Sequence, residues 1–126
     1  MDATLNQTLP PHSSRISFVL VRPSHPGNIG AAARAIKTMG FTDLRVVAPV
    51  DPEYRTHPDA VAFSTSSVDV LTDSRDYPTL EEALSDVALP FAMTGYSRRF
   101  GPALETMRES ADRASLWAEE NKGPGI

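Results

Sequence analysis

Residues 16–21 (ISFVLV) form a nearly continuous run of β-prone apolar side chains, the pattern of a strand buried on both faces. A turn cluster with two prolines, RPSHPG, follows at 22–27. From Asn28 the period changes. Ile29, Ala32, Ala33 and Ile36 recur at i, i+3, i+4 and i+7, the apolar stripe of a helix packed on a sheet. Asn28 is a good residue to open that helix, and Gly40 stands where a terminating glycine belongs. Residues 44–48 (LRVVA) read as a second strand, closed by Pro49. Residues 16–48 are therefore predicted to form a βαβ unit with a parallel strand pair and a right-handed crossover.

Beyond this unit the pattern weakens. Residues 51–58 read as a loop, and 59–63 as a short helix fading into the Ser/Thr run 64–67. Residues 68–71 suit a weak strand or a helix end. Thr79, three residues before Glu82, marks a capped helix over 79–85. The stretch 89–94 (LPFAMT) is predicted as a third strand, near an edge because of Pro90. A polar loop at 95–102 precedes a helical tract, 112–121 then read as a last helix with Leu116 and Trp117 on its buried side, and 122–126 as a turn into a further strand. Residues 1–14 are expected to be a mobile tail, and 15–126 part of one domain.

Composition narrows the function. The chain of 126 residues has no cysteine, which excludes a disulfide framework, a thiolate nucleophile and a cysteine zinc site. His12, His25 and His57 lack metal-ligand spacing, so no metal is expected. The longest unbroken apolar run, 18–21, is far short of the ~20 residues that span a bilayer. The polar amino terminus lacks signal-peptide organisation, so no membrane association and a cytoplasmic location are expected. Twelve basic and 16 acidic residues give a net charge of −4, but unevenly. Residues 1–50 carry five bases against two acids, whereas 51–126 carry seven against fourteen. A polyanionic partner would thus meet a local basic patch in the first half.

The chemistry-bearing stretch is 25–41, HPGNIGAAARAIKTMGF. Gly27 and Gly30 would let a ligand approach the backbone closely, and a helix start offers unpaired N–H groups and a positive dipole end. The spacing is neither GxGxxG nor GxxxxGK, so an ordinary βα turn explains it equally. Arg34 falls off the apolar stripe, with Lys37 one turn further along near the same side. A guanidinium there could hold a phosphate or a ribose oxygen in two-pronged fashion, or could be an ordinary surface arginine.

The run NIGAAARAIKTMGF resembles the first signature motif of the SpoU (TrmH-like) group of SPOUT RNA ribose methyltransferases, above all the branch acting on the tRNA anticodon loop. The resemblance is specific across 16–48 and looser across 49–121. It implies a Rossmann-like α/β fold with a parallel sheet, and methyl transfer from S-adenosylmethionine to a ribose 2′-hydroxyl of tRNA or another structured RNA. It places Asn28 and Arg34 in catalysis, and Gly27, Gly30, Lys37, Arg22, Arg98 and Arg99 against substrate. Thr94 and Gly95 would lie toward the methyl donor. A guanidinium with a pKa above ~12 is a poor base, so stabilising a developing alkoxide is the easier role for Arg34. Tyr96 could stack on a base or cap the sheet. Ser97 departs from the family, which usually has an arginine there.

The family's Gly–Arg–Glu…Gly–Leu and Ser–Leu–Asn segments, which form the trefoil knot around the donor and much of the dimer face, have no counterpart here. The resemblance therefore describes an RNA-facing portion of an enzyme whose full-length form is expected to be a homodimer. The 126-residue chain alone is expected neither to bind S-adenosylmethionine nor to methylate RNA; micromolar binding in a calorimetric titration would contradict this. An exposed apolar sheet edge, and with it self-association, is a further expectation. Two other readings stay open: a non-catalytic RNA-binding or dimerising fragment, and a small phosphate- or nucleotide-binding α/β domain using the Gly27–Gly30 turn.

Overall fold

The computed structural model describes residues 15–93, 106–121 and 125–126. They fall into two compact units, the first running to Ser85 and the second beginning at Asp86. In the first unit, β1 (Ser17–Val21), α1 (Pro26–Thr38) and β2 (Asp43–Val47) form the expected βαβ arrangement. They are followed by α2 (Pro58–Ser64), α3 (Val68–Asp73), β3 (Arg75–Tyr77) and α4 (Leu80–Ala83), with short 3-10 turns at Tyr54–Thr56 and Thr65–Ser67. The strands make one parallel sheet in the order β1-β2-β3. Val21 stands beside Val47, and Val47 beside Tyr77.

Local chemistry fixes both ends of α1. Pro26 occupies the first turn, where its missing N–H costs nothing, behind an extended His25. The helix thus starts two residues before Asn28, which is not its cap. At the other end Gly40 takes φ 91°. Its N–H donates to the Lys37 carbonyl (2.9 Å) and the Phe41 N–H to the Ile36 carbonyl (2.9 Å), a Schellman closure. Ile29, Ala33 and Ile36 face Leu44 and Val46 of β2 in a core completed by Tyr54, Ala60, Val70 and Leu71. Gly30, rather than Ala32, joins α1's buried side.

The other sheet face carries a buried cation. Arg45, only 4% exposed, donates through Nη1 to the Ala83 carbonyl (2.7 Å) and through Nη2 to the Asp43 carboxylate (2.9 Å). Asp43 also accepts from Ser17 Oγ (2.6 Å) and Arg75 Nη2 (3.2 Å), so one carboxylate links all three strands. Tyr54 is fully buried, its hydroxyl 2.6 Å from Asp76 Oδ1 and 2.7 Å from Ser74 Oγ. Burial, reinforced by the contact with Asp76, pushes the phenol up to about 12. Arg55 sits 4.6 Å over the Tyr54 ring and donates to Asp76 and to the Ser74 carbonyl, fastening β3 to the 3-10 turn.

Four expectations are corrected. First, β1 is not buried on both faces: Phe18 and Val21 are 37% and 49% exposed, and among the described residues the strand has a neighbour on one side only. Second, the third strand is the polar Arg75–Tyr77, held by side-chain partners, whereas 89–93 are not a strand. Third, of the two alternatives for residues 68–71 the strand is overturned and the helical one holds, as part of α3. Fourth, in the second unit α5 (Met107–Glu120) starts five residues before its expected position because Thr106 and Glu109 form a capping box. Leu116 is 58% exposed on it, while Ala118 is buried and Trp117 half-buried. The expected tail at 1–14 and loop at 95–102 lie outside the described residues.

Candidate functional site

The carboxyl ends of the strands share one construction. The Arg22 N–H donates to the Val47 carbonyl (2.7 Å), and the Ala48 N–H to the Tyr77 carbonyl (2.8 Å), extending each ladder by one bond. At these residues the chain turns into the left-handed region, with φ 48° at Arg22 and 43° at Ala48. Each immediately precedes a proline, whose ring disfavours right-handed helical geometry before it. Left-handed geometry at a side-chain-bearing residue costs roughly 1–2 kcal/mol, so two such bends at one level constitute a built feature. Val50 N–H donates to the Pro23 carbonyl (3.2 Å) and ties the two loops together.

Between these bends and α4 lies a cleft of about 320 Å³ lined by Val21, Arg22, Val47, Ala48, Pro78, Thr79 and Leu80. Open parallel sheets bind ligands at this end of their strands. Of the lining, only Arg22 and Thr79 had a sequence signal, and Thr79 is committed: its hydroxyl accepts the Glu82 N–H (3.2 Å) as the cap of α4. S-adenosylmethionine presents a sulfonium and an ammonium that suit carboxylate or carbonyl partners, a ribose diol, a flat adenine that suits apolar surface, and one carboxylate that suits a cation. The described lining supplies a guanidinium, an engaged hydroxyl and apolar side chains. These side chains suit the donor's carboxylate and adenine but supply no carboxylate for its sulfonium and ammonium, so by themselves they do not make a complete donor site; the cation suits an anion.

Most of the first unit's other cations are accounted for by partners. Lys37, expected against substrate, is 2.8 Å from the Asp69 carboxylate and also donates to the Ser66 carbonyl (3.3 Å). The lysine's hydrogen bond holds the Asp69 carboxyl below its usual range. Arg45, Arg55 and Arg75 are ion-paired, and Arg15 is engaged as well. Among the described residues of this unit, the guanidinium groups of Arg22 and Arg34 are exposed and carry no such partner. Arg34 is turned outward, and only its carbonyl is used, accepting from Thr38 Oγ1 (2.8 Å). Because α1 begins at Pro26, Arg34 stands more than two turns from the helix start. The helix dipole falls off within the first turn, so Arg34 acts by its own charge.

Asn28 is exposed on the first turn of α1, which has no side-chain cap and no acidic residue of its own. The glycines do something other than expected. A Cβ on Gly30 would lie 2.1 Å from the Ala60 carbonyl oxygen, and one on Gly27 2.8 Å from the Phe63 ring. Their missing side chains make room for α2, so packing between the two helices by itself accounts for glycine at both positions. Thr94, Gly95, Arg98 and Arg99, with Tyr96 and Ser97, lie outside the described residues.

A parallel α/β unit with a cation-bearing cleft at its strand ends defines the class. Residues 15–123 match the SpoU rRNA Methylase family, and the chain belongs to that family. It is 45% identical over 107 residues to the tRNA (cytidine/uridine/adenosine-2′-O-)-methyltransferase TrmJ of Pseudomonas aeruginosa, an overlap covering 85% of this chain and 40% of that protein. A probable methyltransferase from Bordetella pertussis superposes with a TM-score of 0.83 at 44% identity, over 89% of this chain and 66% of that one. TrmJ of Z. mobilis gives a TM-score of 0.74 at 34% identity, over 86% and 46%. The chain spans 36–40% of the length of the curated relatives it matches.

Proposed function

We propose that this chain is the RNA-facing portion of a tRNA 2′-O-ribose methyltransferase, working in the cytoplasm and, at full length, as a homodimer. The reading draws its substrate from the relatives' names and its chemistry from one observation: Arg34 projects an unpartnered guanidinium from α1 while most cations around it are paired. In this role Arg34 holds a ribose or phosphate oxygen and stabilises negative charge as the 2′-oxygen loses its proton. Asn28, on the first turn of the same helix, orients the neighbouring backbone, and Arg22 at the cleft mouth takes a phosphate. The family's donor, S-adenosylmethionine, needs residues beyond the described cleft lining, so the reading concerns RNA binding only.

The test is fluorescence anisotropy of the 126-residue chain with unmodified tRNA across a salt series. Wild-type binding should weaken as salt rises. Arg34→Ala should weaken it about tenfold and lower the salt slope by about one, while Arg34→Lys keeps most of the slope. Salt-independent binding, or equal affinities for wild type and Arg34→Ala, would overturn the proposal.

A further inference from the structure

Phe63 is the feature that the βαβ reading leaves unused. It lies in the last turn of α2 and is 55% exposed, although the α1–α2 contact beside it buries Gly30 and Ala60. The ring packs with one edge against α1. Its Cδ2–Cε2 edge occupies the space where a side chain on Gly27 would be, 2.8 Å from the position a Cβ would take. An aromatic ring parked on backbone in this way is held in place yet open to a partner, which keeps the ordering cost of stacking low.

Its surroundings point to the partner. Gly27 and Arg34 are seven residues apart on α1, which puts them on nearly one side of the helix and about 10 Å apart along it. Phe63 over Gly27 and the unpartnered Arg34 thus offer a π-face and a cation along one line. Asp59 also approaches Gly27, its Cβ 3.7 Å from that same position. A carboxylate there disfavours a phosphate beside the ring and leaves Arg34 as the phosphate contact. A flat group at one point and an anion a short distance along is the pattern of a single nucleic-acid strand, and base stacking on aromatics is how proteins hold unpaired bases.

We infer that Phe63 is a stacking platform for an unpaired base of the RNA whose backbone Arg34 contacts. This rests on the RNA reading above and assigns to α2 a role in binding the strand. The ring reads no base edge, so the contact holds any unpaired base.

The experiment compares a short single-stranded oligoribonucleotide with an abasic ribose–phosphate chain of equal length, both fluorescein-labelled, on the 126-residue protein. Phe63→Ala should weaken binding of the base-bearing strand about tenfold, the loss of one stack, and leave the abasic chain unaffected. Phe63→Leu, which keeps apolar bulk without a π-face, should lose as much, whereas Phe63→Tyr should bind like wild type. Arg34→Ala should weaken both ligands. If Arg34→Ala weakens both and Phe63→Ala neither, the platform is disproved and the RNA reading stands. If neither variant alters either ligand, the RNA reading falls and the platform with it. A Phe63→Ala effect seen only as altered sedimentation would make this face a protein contact and overturn the inference.

Discussion

Gly30→Ala should destabilise the protein by about 3 kcal/mol, at the upper end of what overpacking costs. The sign makes this a sharp test. In a helix interior, glycine to alanine ordinarily stabilises by about 1 kcal/mol because the backbone loses less entropy. Here the added methyl would stand 2.1 Å from the Ala60 carbonyl oxygen and within 2.9 Å of two more Ala60 backbone atoms. Backbone cannot rotate aside as a side-chain tip can, so α1 and α2 must separate and open the core around Ile29, Ala33 and Tyr54. Gly27→Ala is the control: its close contact is with the edge of the Phe63 ring, a side chain that can yield by a small rotation where backbone cannot. Urea denaturation should therefore give a clearly lower midpoint for Gly30→Ala and little change for Gly27→Ala. A Gly30→Ala protein as stable as wild type would show that the helices do not cross this closely.

Asp43→Asn should cost about 3 kcal/mol at neutral pH, because removing one partner of a buried ion pair strands the other. Arg45 keeps its bond to the Ala83 carbonyl but loses its counter-charge, and Ser17 and Arg75 lose their charged acceptor too. Burial by itself would raise the Asp43 carboxyl, but hydrogen bonds from Arg45, Ser17 and Arg75 outweigh it and hold the group below its ordinary value of 3.8. A carboxyl depressed in the folded state contributes stability that is fully present above its unfolded pKa. That contribution is lost as pH falls through the folded value. The wild type should thus lose stability steeply below about pH 4, where the unfolded chain takes up this proton first. Asp43→Asn should be weaker at pH 7 and show a shallower acid limb. Parallel limbs for the two proteins in thermal melts from pH 7 to 3 would show that Asp43 is not the acid-sensitive link.

The sequence made the βαβ unit readable because two of its signals are local. Ile29, Ala33 and Ile36 repeat at helical spacing, and Gly40 supplies the positive φ that its closure needs. Pro26 was equally informative but hidden among the turn residues around it, so the helix seemed to begin at Asn28. The rest depended on contacts between distant segments. Arg75 and Asp76 look wrong for a strand until Asp43, Tyr54 and Arg55 supply their partners. The apolar stretch 89–93 looked better and is no strand. Arg45 read as one more base in the first half, since nothing nearby reveals that Ala83 will close over it.

The site divides along the same line. Outward projection of Arg34 followed from its place off the apolar stripe, and the structure agrees. The purpose of Gly27 and Gly30 did not follow, because glycine has the same local signature whether it admits a ligand or a neighbouring helix. The pairing of Lys37 with Asp69 joins residues 32 positions apart and was equally invisible.

The paired left-handed bends at Arg22 and Ala48 have a mechanical consequence. Each is anchored on its inner side by a ladder bond and on its outer side by a proline, so this rim of the sheet has little elasticity. Any polymer laid across it must bend to the shape of the ledge, and the work of conforming falls on the guest.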